Sequence, residues 1–222
     1  MSKNKLFKFA QNETFKCLIQ PPTEQMLKGE HPLKGHWKEE VFHNSNPIVL
    51  ELGCGKGEYT IALALRNPDI NYIGVDIKGA RLWKGAKYAT ENAMPNVAFL
   101  RTRIDFIKSI FSPGEIDEIW ITFADPQPKS PNRRLTSPVF LDRYRAFLKP
   151  GGIINLKTDS QLLHEYTLEV AREQGLEILE ANNDIYGTGR VSEEDILNVK
   201  TYYEQKFLAE GLSITYMAFR LK

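Results

Sequence analysis

The stretch that decides the fold reads Ile48-Val-Leu-Glu-Leu-Gly-Cys-Gly-Lys-Gly57. Its first half is an apolar, β-rich run, and its second half is a glycine-rich turn that leads into a helical pattern at residues 59–65. Glycine is needed in such a turn because the backbone bends tightly and lets a ligand approach where a Cβ atom would collide. The stretch therefore predicts a strand–turn–helix unit that binds a nucleotide-type ligand: NAD, FAD or S-adenosylmethionine.

Two acidic residues distinguish between these three candidate ligands. Glu51 ends the strand just before the glycines, where its carboxylate would repel a pyrophosphate and suit a cationic ligand. Asp76 closes the next apolar run, at the place where an acid accepts the ribose hydroxyls of a bound nucleoside. No Gly-Lys-Ser/Thr follows the glycines, which excludes a Walker-type phosphate loop. The pattern predicts S-adenosylmethionine, which carries a sulfonium and an ammonium but no phosphate.

Apolar runs alternate with helical patterns from residue 46 to residue 174. This rhythm predicts an α/β, doubly wound sheet, and runs that are apolar throughout are typical of strands buried on both faces. The last run, 212–221, has no helix after it and is predicted to insert antiparallel. We expect a Rossmann-like class I methyltransferase fold with a mostly parallel, seven-stranded sheet and an antiparallel C-terminal strand.

Residues 1–45 show no clean period and contain Pro21-Pro22, Gly29 and Pro32. We predict an irregular N-terminal extension with at most one short helix, followed by the class I methyltransferase domain at residues 46–222.

Composition narrows the possible partners. The chain has 222 residues and a net charge of +1. Its cysteine and histidine side chains, which are possible metal ligands, number only two and four, and the histidines are scattered. We expect no metal site, no disulfide, no membrane segment and a cytoplasmic location. Because the total charge demands no polyanionic partner, any case for nucleic acid has to come from local clusters of Lys and Arg. The oligomeric state, monomer or homodimer, stays open.

A second candidate site follows the fourth predicted strand. The chain there reads Asp125-Pro-Gln-Pro-Lys129, a loop stiffened by its two prolines, at the sheet edge where open α/β folds bind ligands. Arg133 and Arg134 come next and are favoured as contacts to RNA phosphates. For the lysines of the N-terminal tail, at positions 3, 5 and 8, a solvated tail is the simpler interpretation.

These motifs together resemble the bacterial tRNA (guanine-N7)-methyltransferase family. The resemblance rests on the glycine-rich turn, on the Asp125–Lys129 loop followed by Arg-Arg-Leu-Thr, on Leu156-Lys-Thr-Asp159 and on Thr201-Tyr-Tyr-Glu-Gln-Lys-Phe207. It extends from about residue 46 to the C-terminus, in the order and spacing of the family.

The resemblance implies an S-adenosylmethionine-dependent enzyme that methylates N7 of a guanosine in the variable loop of tRNA. Asp125 is the predicted catalytic residue. The residues predicted to bind the cofactor are Glu51, Gly53, Gly55, Asp76, Asp105 and Asp125. The residues predicted to bind the substrate are Lys129, Arg133, Arg134, Asp159, Thr201 and Glu204.

The chain departs from the family pattern in three places. Gln127 stands where the family usually has Trp, Ser130-Pro-Asn132 replaces the Lys-Arg-His that follows, and Arg103 stands where the family has the acid that contacts the adenine. We expect either Asp105, two residues further on, or a nearby backbone amide to supply that contact.

Guanine N7 carries a lone pair and no proton, so its methylation needs alignment and stabilisation of positive charge rather than a general base. We expect Asp125, Asp159 and Glu204 to surround the transfer centre, and the aromatic residues Tyr202, Tyr203 and Phe207 are candidates for stacking on the target base.

Other classes of protein remain in competition. A methyltransferase that acts on another RNA or on a small molecule is the nearest, and the basic loop disfavours the small molecule. A nicotinamide-dependent oxidoreductase is disfavoured by Glu51 and by the terminal strand. A non-catalytic tRNA-binding protein is disfavoured by the presence of every acid that the chemistry requires.

Overall fold

The computed structural model describes residues 3–222, apart from the side chains of Lys3 and Lys28. Its strands are β1 (Leu18–Ile19), β2 (Ile48–Leu52), β3 (Asn71–Asp76), β4 (Val97–Arg101), β5 (Ile116–Thr122), β6 (Leu148–Thr158), β7 (Glu177–Asn182) and β8 (Thr215–Arg220). They form one eight-stranded sheet in the order β1-β4-β3-β2-β5-β6-β8-β7.

The helices cover both faces of this sheet. They are α1 (Lys3–Asn12), α2 (Thr23–Lys28), α3 (Glu58–Arg66), α4 (Gly79–Glu91), α5 (Pro138–Arg145), α6 (Gln161–Glu173) and α7 (Tyr202–Ala209). Neighbouring strand residues such as Val49 and Leu50 belong to opposite halves of the core. The half on one face is completed by α3 and α4, and the other half by α5 and α6. None of the helices within residues 3–222 is long and apolar enough to span a membrane.

The predicted class I methyltransferase architecture is confirmed. Strands β1 to β6 pair in parallel, and β8 lies antiparallel between β6 and β7. The expected seven strands are joined by an eighth, the two-residue β1, which pairs with β4 at Leu18 and Phe99. A strand of two residues is too short to show a period, so the sequence pattern could not reveal it.

The segment before residue 46 is more regular than the sequence predicts. It holds α1, β1, α2 and a π-helical turn at Lys38–Phe42, while residues 1 and 2 of the predicted extension lie outside the described part of the chain. Trp37 is fully buried, and its indole Nε1 donates a hydrogen bond to the carbonyl oxygen of Ile110 at 3.1 Å. The segment is thus folded onto the rest of the chain, and the proposed domain boundary at residue 46 stays a prediction.

The Phe99 ring on β4 lies in a slot formed by three glycines. A Cβ atom at Gly57 would stand 2.5 Å from this ring, and one at Gly74 would stand 2.8 Å from it. At Gly85 a Cβ atom would meet the ring at 2.5 Å and the carbonyl oxygen of Lys56 at 2.9 Å. The close approach of α3, β3 and α4 around one ring fixes where the glycine-rich turn leaves β2.

We expect Gly85→Ala to lower the free energy of unfolding by about 1–3 kcal/mol, because overpacking a tight core forces its neighbours to move. Alanine inside a helix would otherwise stabilise by about 1 kcal/mol, so the sign of the change tests the slot. The measurement is urea unfolding. Gly29→Ala is the control, since a Cβ atom there meets nothing within 4 Å. Equal or higher stability of the Gly85 variant would contradict the tight contact.

Candidate active site

The carboxyl ends of β2, β3, β4 and β5 meet at one edge of the sheet and border a cleft of about 470 Å³. The predicted residues that line the cleft are Gly53, Asp76, Asp105, Asp125 and Arg133. A smaller cavity of about 70 Å³ adjoins it, shares Gly53 and Phe123 with it, and is lined by Glu51, Gly55 and Thr201. The topology therefore brings together residues that are far apart in sequence.

Asp76 holds the glycine-rich turn in place. Its Oδ2 accepts a hydrogen bond from the backbone N–H of Gly55 at 2.9 Å, and its Oδ1 accepts one from Lys78 N–H at 2.7 Å. Gly55 has a φ of +58°, a conformation that a residue with a side chain rarely adopts. Each carboxylate oxygen keeps a second lone pair, so Asp76 can still accept hydroxyl groups of a ligand in the cleft.

Glu51 is almost completely buried at 3% exposure, and it joins three elements. One oxygen accepts a hydrogen bond from the backbone N–H of Thr60 at 2.8 Å and another from the Thr60 hydroxyl, at the start of α3. The other oxygen accepts a hydrogen bond from the Thr122 hydroxyl at the end of β5. Burial raises the pKa of Glu51 to about 7, against the smaller lowering effect of these hydrogen bonds. A cation that reaches this carboxyl group would favour its ionised form.

The Asp125 loop is held in part by its own acid. Phe123 and Gln127 both have positive φ, at 50° and 44°, and Asp125 Oδ1 accepts a hydrogen bond from Gln127 N–H at 2.9 Å. Asp125 itself is exposed at the wall of the cleft. A short side chain thus fixes its own loop and still presents a carboxylate oxygen to a ligand.

Arg134 does not have the role that the sequence predicts. It is only 5% exposed; its Nε donates a hydrogen bond to the carbonyl oxygen of Pro126 at 2.9 Å, and its guanidinium lies 4.2 Å from the ring centre of Tyr166. In this arrangement it supports the Asp125 loop from behind and is not available to an RNA phosphate. Arg133 and Lys129 are both exposed and remain candidates for that contact.

Asp105 lies in the cleft wall with both oxygens in ion pairs. Arg103 Nη2 is 2.8 Å from Oδ2, and Arg143 Nη1 is 2.9 Å from Oδ1. Arg103 stands where the family has an acid. It is therefore a direct partner of Asp105, the residue expected to take over the role of that acid. Contact between Asp105 and an adenine stays a prediction.

Glu204 lies inside the protein, whereas the sequence predicts that it lies beside the target base. It forms a fully buried ion pair with Lys157, whose Nζ is 2.7 Å from Oε1. Lys157 also donates to the carbonyl oxygens of Leu197 at 2.6 Å and Val199 at 3.1 Å, and Tyr186 OH donates to Glu204 Oε1 at 2.7 Å. Every charge here has partners, so the carboxylate is not available to a ligand in this structure.

Two further predicted substrate contacts are Thr201, which precedes the helix of Glu204, and Asp159, two residues after Lys157. Thr201 is 9% exposed and caps α7, since its hydroxyl accepts the backbone N–H of Glu204 at 3.2 Å. Asp159 is half-buried just after β6, and burial raises its pKa. The roles of Thr201 and Asp159 as substrate contacts stay predictions. The segment that begins at Thr201 lines the smaller cavity and also holds a loop in position.

Sequence reasoning did not identify Lys157 as a functional residue. The signal was present, because Lys157 directly follows Ile153–Leu156, a run predicted as a strand buried on both faces, and the strand continues through it. A charge in such a strand requires a buried partner.

A series of aromatic rings leads outward from the cleft. Phe123 contacts Phe207 with ring centres 6.1 Å apart, and Phe207 stacks on Tyr203 at 6.3 Å. Tyr202 and Tyr203 are 56% and 41% exposed.

No group of three or more metal-ligating side chains occurs among residues 3–222.

An open, mostly parallel sheet with an inserted antiparallel strand, a glycine-rich turn after β2 and acids at the ends of β2 and β3 defines a class I methyltransferase. A family model described as "Putative methyltransferase" matches residues 45–217. The chain belongs to this family and, within it, to the bacterial tRNA (guanine-N7)-methyltransferases.

Two relatives carry this assignment. A tRNA (guanine-N(7)-)-methyltransferase of Christiangramia forsetii is 51% identical over 100% of this chain and 99% of its own length. One of Bacteroides fragilis is 49% identical over 100% of this chain and 87% of its own length. Among solved structures, the 16S rRNA methyltransferase KamB matches with a TM-score of 0.63 over 83% of this chain and 92% of that chain. At 16% identity this likeness shows the fold alone.

We expect Lys157→Met to lower the free energy of unfolding by about 3–5 kcal/mol, because it leaves the Glu204 charge buried and unpaired. The double variant Lys157→Met/Glu204→Leu should recover part of this loss, and urea unfolding of all three proteins measures both effects. The control is Lys206→Met, which breaks an exposed pair with Glu210 and should cost less than about 1 kcal/mol. A loss at Lys157 no larger than that at Lys206 would show that the buried pair has no such role.

Proposed function

We propose that this protein transfers a methyl group from S-adenosylmethionine to N7 of a guanosine in the variable loop of tRNA, and that it does so in the cytoplasm. The observation that carries the proposal is full-length similarity to proteins named for this activity, together with a cleft in which the expected acids meet. The site residues below are part of the proposal.

The cofactor cleft suits S-adenosylmethionine. An added Cβ atom at Gly53 or Gly55 would meet no protein atom within 4 Å, so the space above the turn is free for a ligand that approaches the backbone. Asp76 would accept the ribose hydroxyls through its remaining lone pairs. The Glu51 carboxylate would attract the positive charge of the methionine part, and Asp105 would contact the adenine end. When bound, the cofactor supplies an electrophilic methyl group on a sulfonium.

Asp125 is proposed to serve the substrate as well as the cofactor. Glu51, Asp76 and Asp105 would hold the cofactor, which would supply its methyl group to guanine N7, with the electron pair of the carbon–sulfur bond left on sulfur. The purine ring becomes cationic, and a carboxylate at the cleft wall stabilises it without accepting a proton. We expect Tyr203, which is exposed beside the smaller cavity, to stack on the base.

The decisive experiment is transfer of labelled methyl from S-adenosylmethionine to unmodified tRNA, followed by nucleoside analysis. We expect the label in 7-methylguanosine. Asp125→Ala should lower kcat, measured at saturating S-adenosylmethionine and tRNA, by about 100-fold or more, with a smaller loss of cofactor affinity. Asp142→Ala, which removes an exposed acid paired with Arg145, is the matched control and should retain activity. Label in another nucleoside, or full turnover by the Asp125 variant, would refute the proposal or this assignment respectively.

Cofactor binding should depend on pH through Glu51. Its pKa of about 7 means that the group is mostly protonated below neutrality, and a cationic ligand has to release that proton. Affinity for S-adenosylmethionine should therefore rise from pH 5.5 to 7, by up to about tenfold per pH unit, and then level off. Calorimetric titration measures this. Glu51→Gln should bind more weakly with a flat profile in that range, whereas a flat profile for the unmodified protein would remove Glu51 from the cofactor contact.

A further inference from the structure

A line of basic side chains runs from the active-site edge of the sheet across α3, α4 and α1. Arg81 and Lys56 line the small cavity beside Glu51. Lys56, Lys84 and Lys87 line a groove of about 530 Å³ between α3 and α4. Lys8 on α1 reaches the same place, with its Nζ 4.7 Å from the ring centre of Trp83. These five residues are called the α4 basic face below.

Trp83 orders the ammonium groups of this face. Its indole Nε1 donates to the side-chain oxygen of Gln11 at 2.7 Å, which fixes the ring between α1 and α4. Lys8 Nζ and Lys87 Nζ lie 4.7 Å and 6.0 Å from the ring centre. Cation–π contacts of this kind hold flexible lysines near one position, so less conformational entropy is lost when an anion binds.

Two acids line the groove beside these cations, and neither is buried. Glu58 pairs with Lys84 and Glu91 pairs with Lys87, and both carboxylates are partly or largely exposed to solvent. Such surface pairs are worth less than about 1 kcal/mol, so a phosphate can replace the carboxylate at little cost. The other residues that line the groove are apolar, aromatic or glycine.

The positive charge of this face is not apparent from the net charge of the whole chain. Together with the acids that line its groove and the small cavity, the α4 basic face holds 5 of the 29 Lys and Arg residues and 3 of the 28 Asp and Glu residues, a local charge of +2. The rest of the chain then carries 24 positive and 25 negative groups, or −1. A polyanion that approaches this face meets a net positive charge.

We propose that the α4 basic face binds the phosphate backbone of the tRNA whose guanosine enters the cleft at Asp125. The face begins at the cleft itself, because Lys56 follows Gly55 in the turn and its Nζ lies 4.4 Å from the ring centre of Tyr202. A substrate that extends beyond the cleft in this direction meets phosphate-binding groups at once. The inference rests on the proposed function, and it gives Lys8 a binding role where the sequence favours a solvated tail.

The experiment compares two triple variants of the full chain. Lys8→Gln/Lys84→Gln/Lys87→Gln removes three charges from the face and none from the cofactor cleft. Lys38→Gln/Lys149→Gln/Lys222→Gln removes the same charge near the opposite edge of the sheet, where the lysines bond to the carbonyl oxygens of Ser45 and Gly175 and pair with Asp117. The affinity for unmodified tRNA is measured at several salt concentrations, beside cofactor affinity and methyl transfer.

For the first variant we expect at least a tenfold loss of tRNA affinity and a slope of log affinity against log salt that is smaller by about 2 to 3. Its cofactor affinity, and its kcat at saturating tRNA, should equal those of the unmodified protein. An unchanged slope, or an equal effect in the second variant, would overturn the inference while methylation by the unmodified protein still supports the proposed function. Failure of the unmodified protein to bind or methylate tRNA would overturn both.

Discussion

The buried contact between Lys157 and Glu204 determines how the active site is built. Two charges without any exposed surface would be very costly if either lacked partners. Lys157 uses its donors on a carboxylate and on two backbone carbonyl groups, so one residue of β6 holds both the irregular chain before α7 and the helix itself. Thr201 and Tyr203 reach the cavity beside Glu51 because this segment is held there. An acid that looks catalytic in the sequence thus contributes by placing its neighbours.

The sequence predicted best where the information is local. The run from Ile48 to Gly57 and the acid at residue 76 were placed correctly beside one cleft, because parallel strands in a doubly wound sheet end at a common edge. Asp125 and Arg133 follow from the same rule, since their loop leaves the neighbouring strand β5. Topology, once recognised, converts separate positions in the chain into neighbours.

The sequence predicted worst where a side chain has to choose between partners. Glu204 and Arg134 carry the right charges for a substrate contact, yet both are turned inward to groups that no local pattern reveals. The same limit applies to the first 45 residues. Their helices are short, and Trp37 is buried by residues more than 70 positions further along the chain. Burial is a property of the assembled core, whereas periodicity reports only on single elements.

The slot around Phe99 links the glycine motif to a strand that lies behind it. Gly57, Gly74 and Gly85 have no room for a methyl group as long as that ring is present. With a smaller residue on β4, the contact at Gly57 would be relieved, although its φ of +72° would still favour glycine. Thr60 Oγ1 and the Lys56 carbonyl oxygen would still stand 2.8 Å and 2.9 Å from a Cβ atom at Gly74 and Gly85. The phenylalanine and the three glycines therefore evolve under a shared constraint, to which each glycine adds one of its own. Phe99 lines neither cavity of the site, yet it helps to fix the turn that lines both.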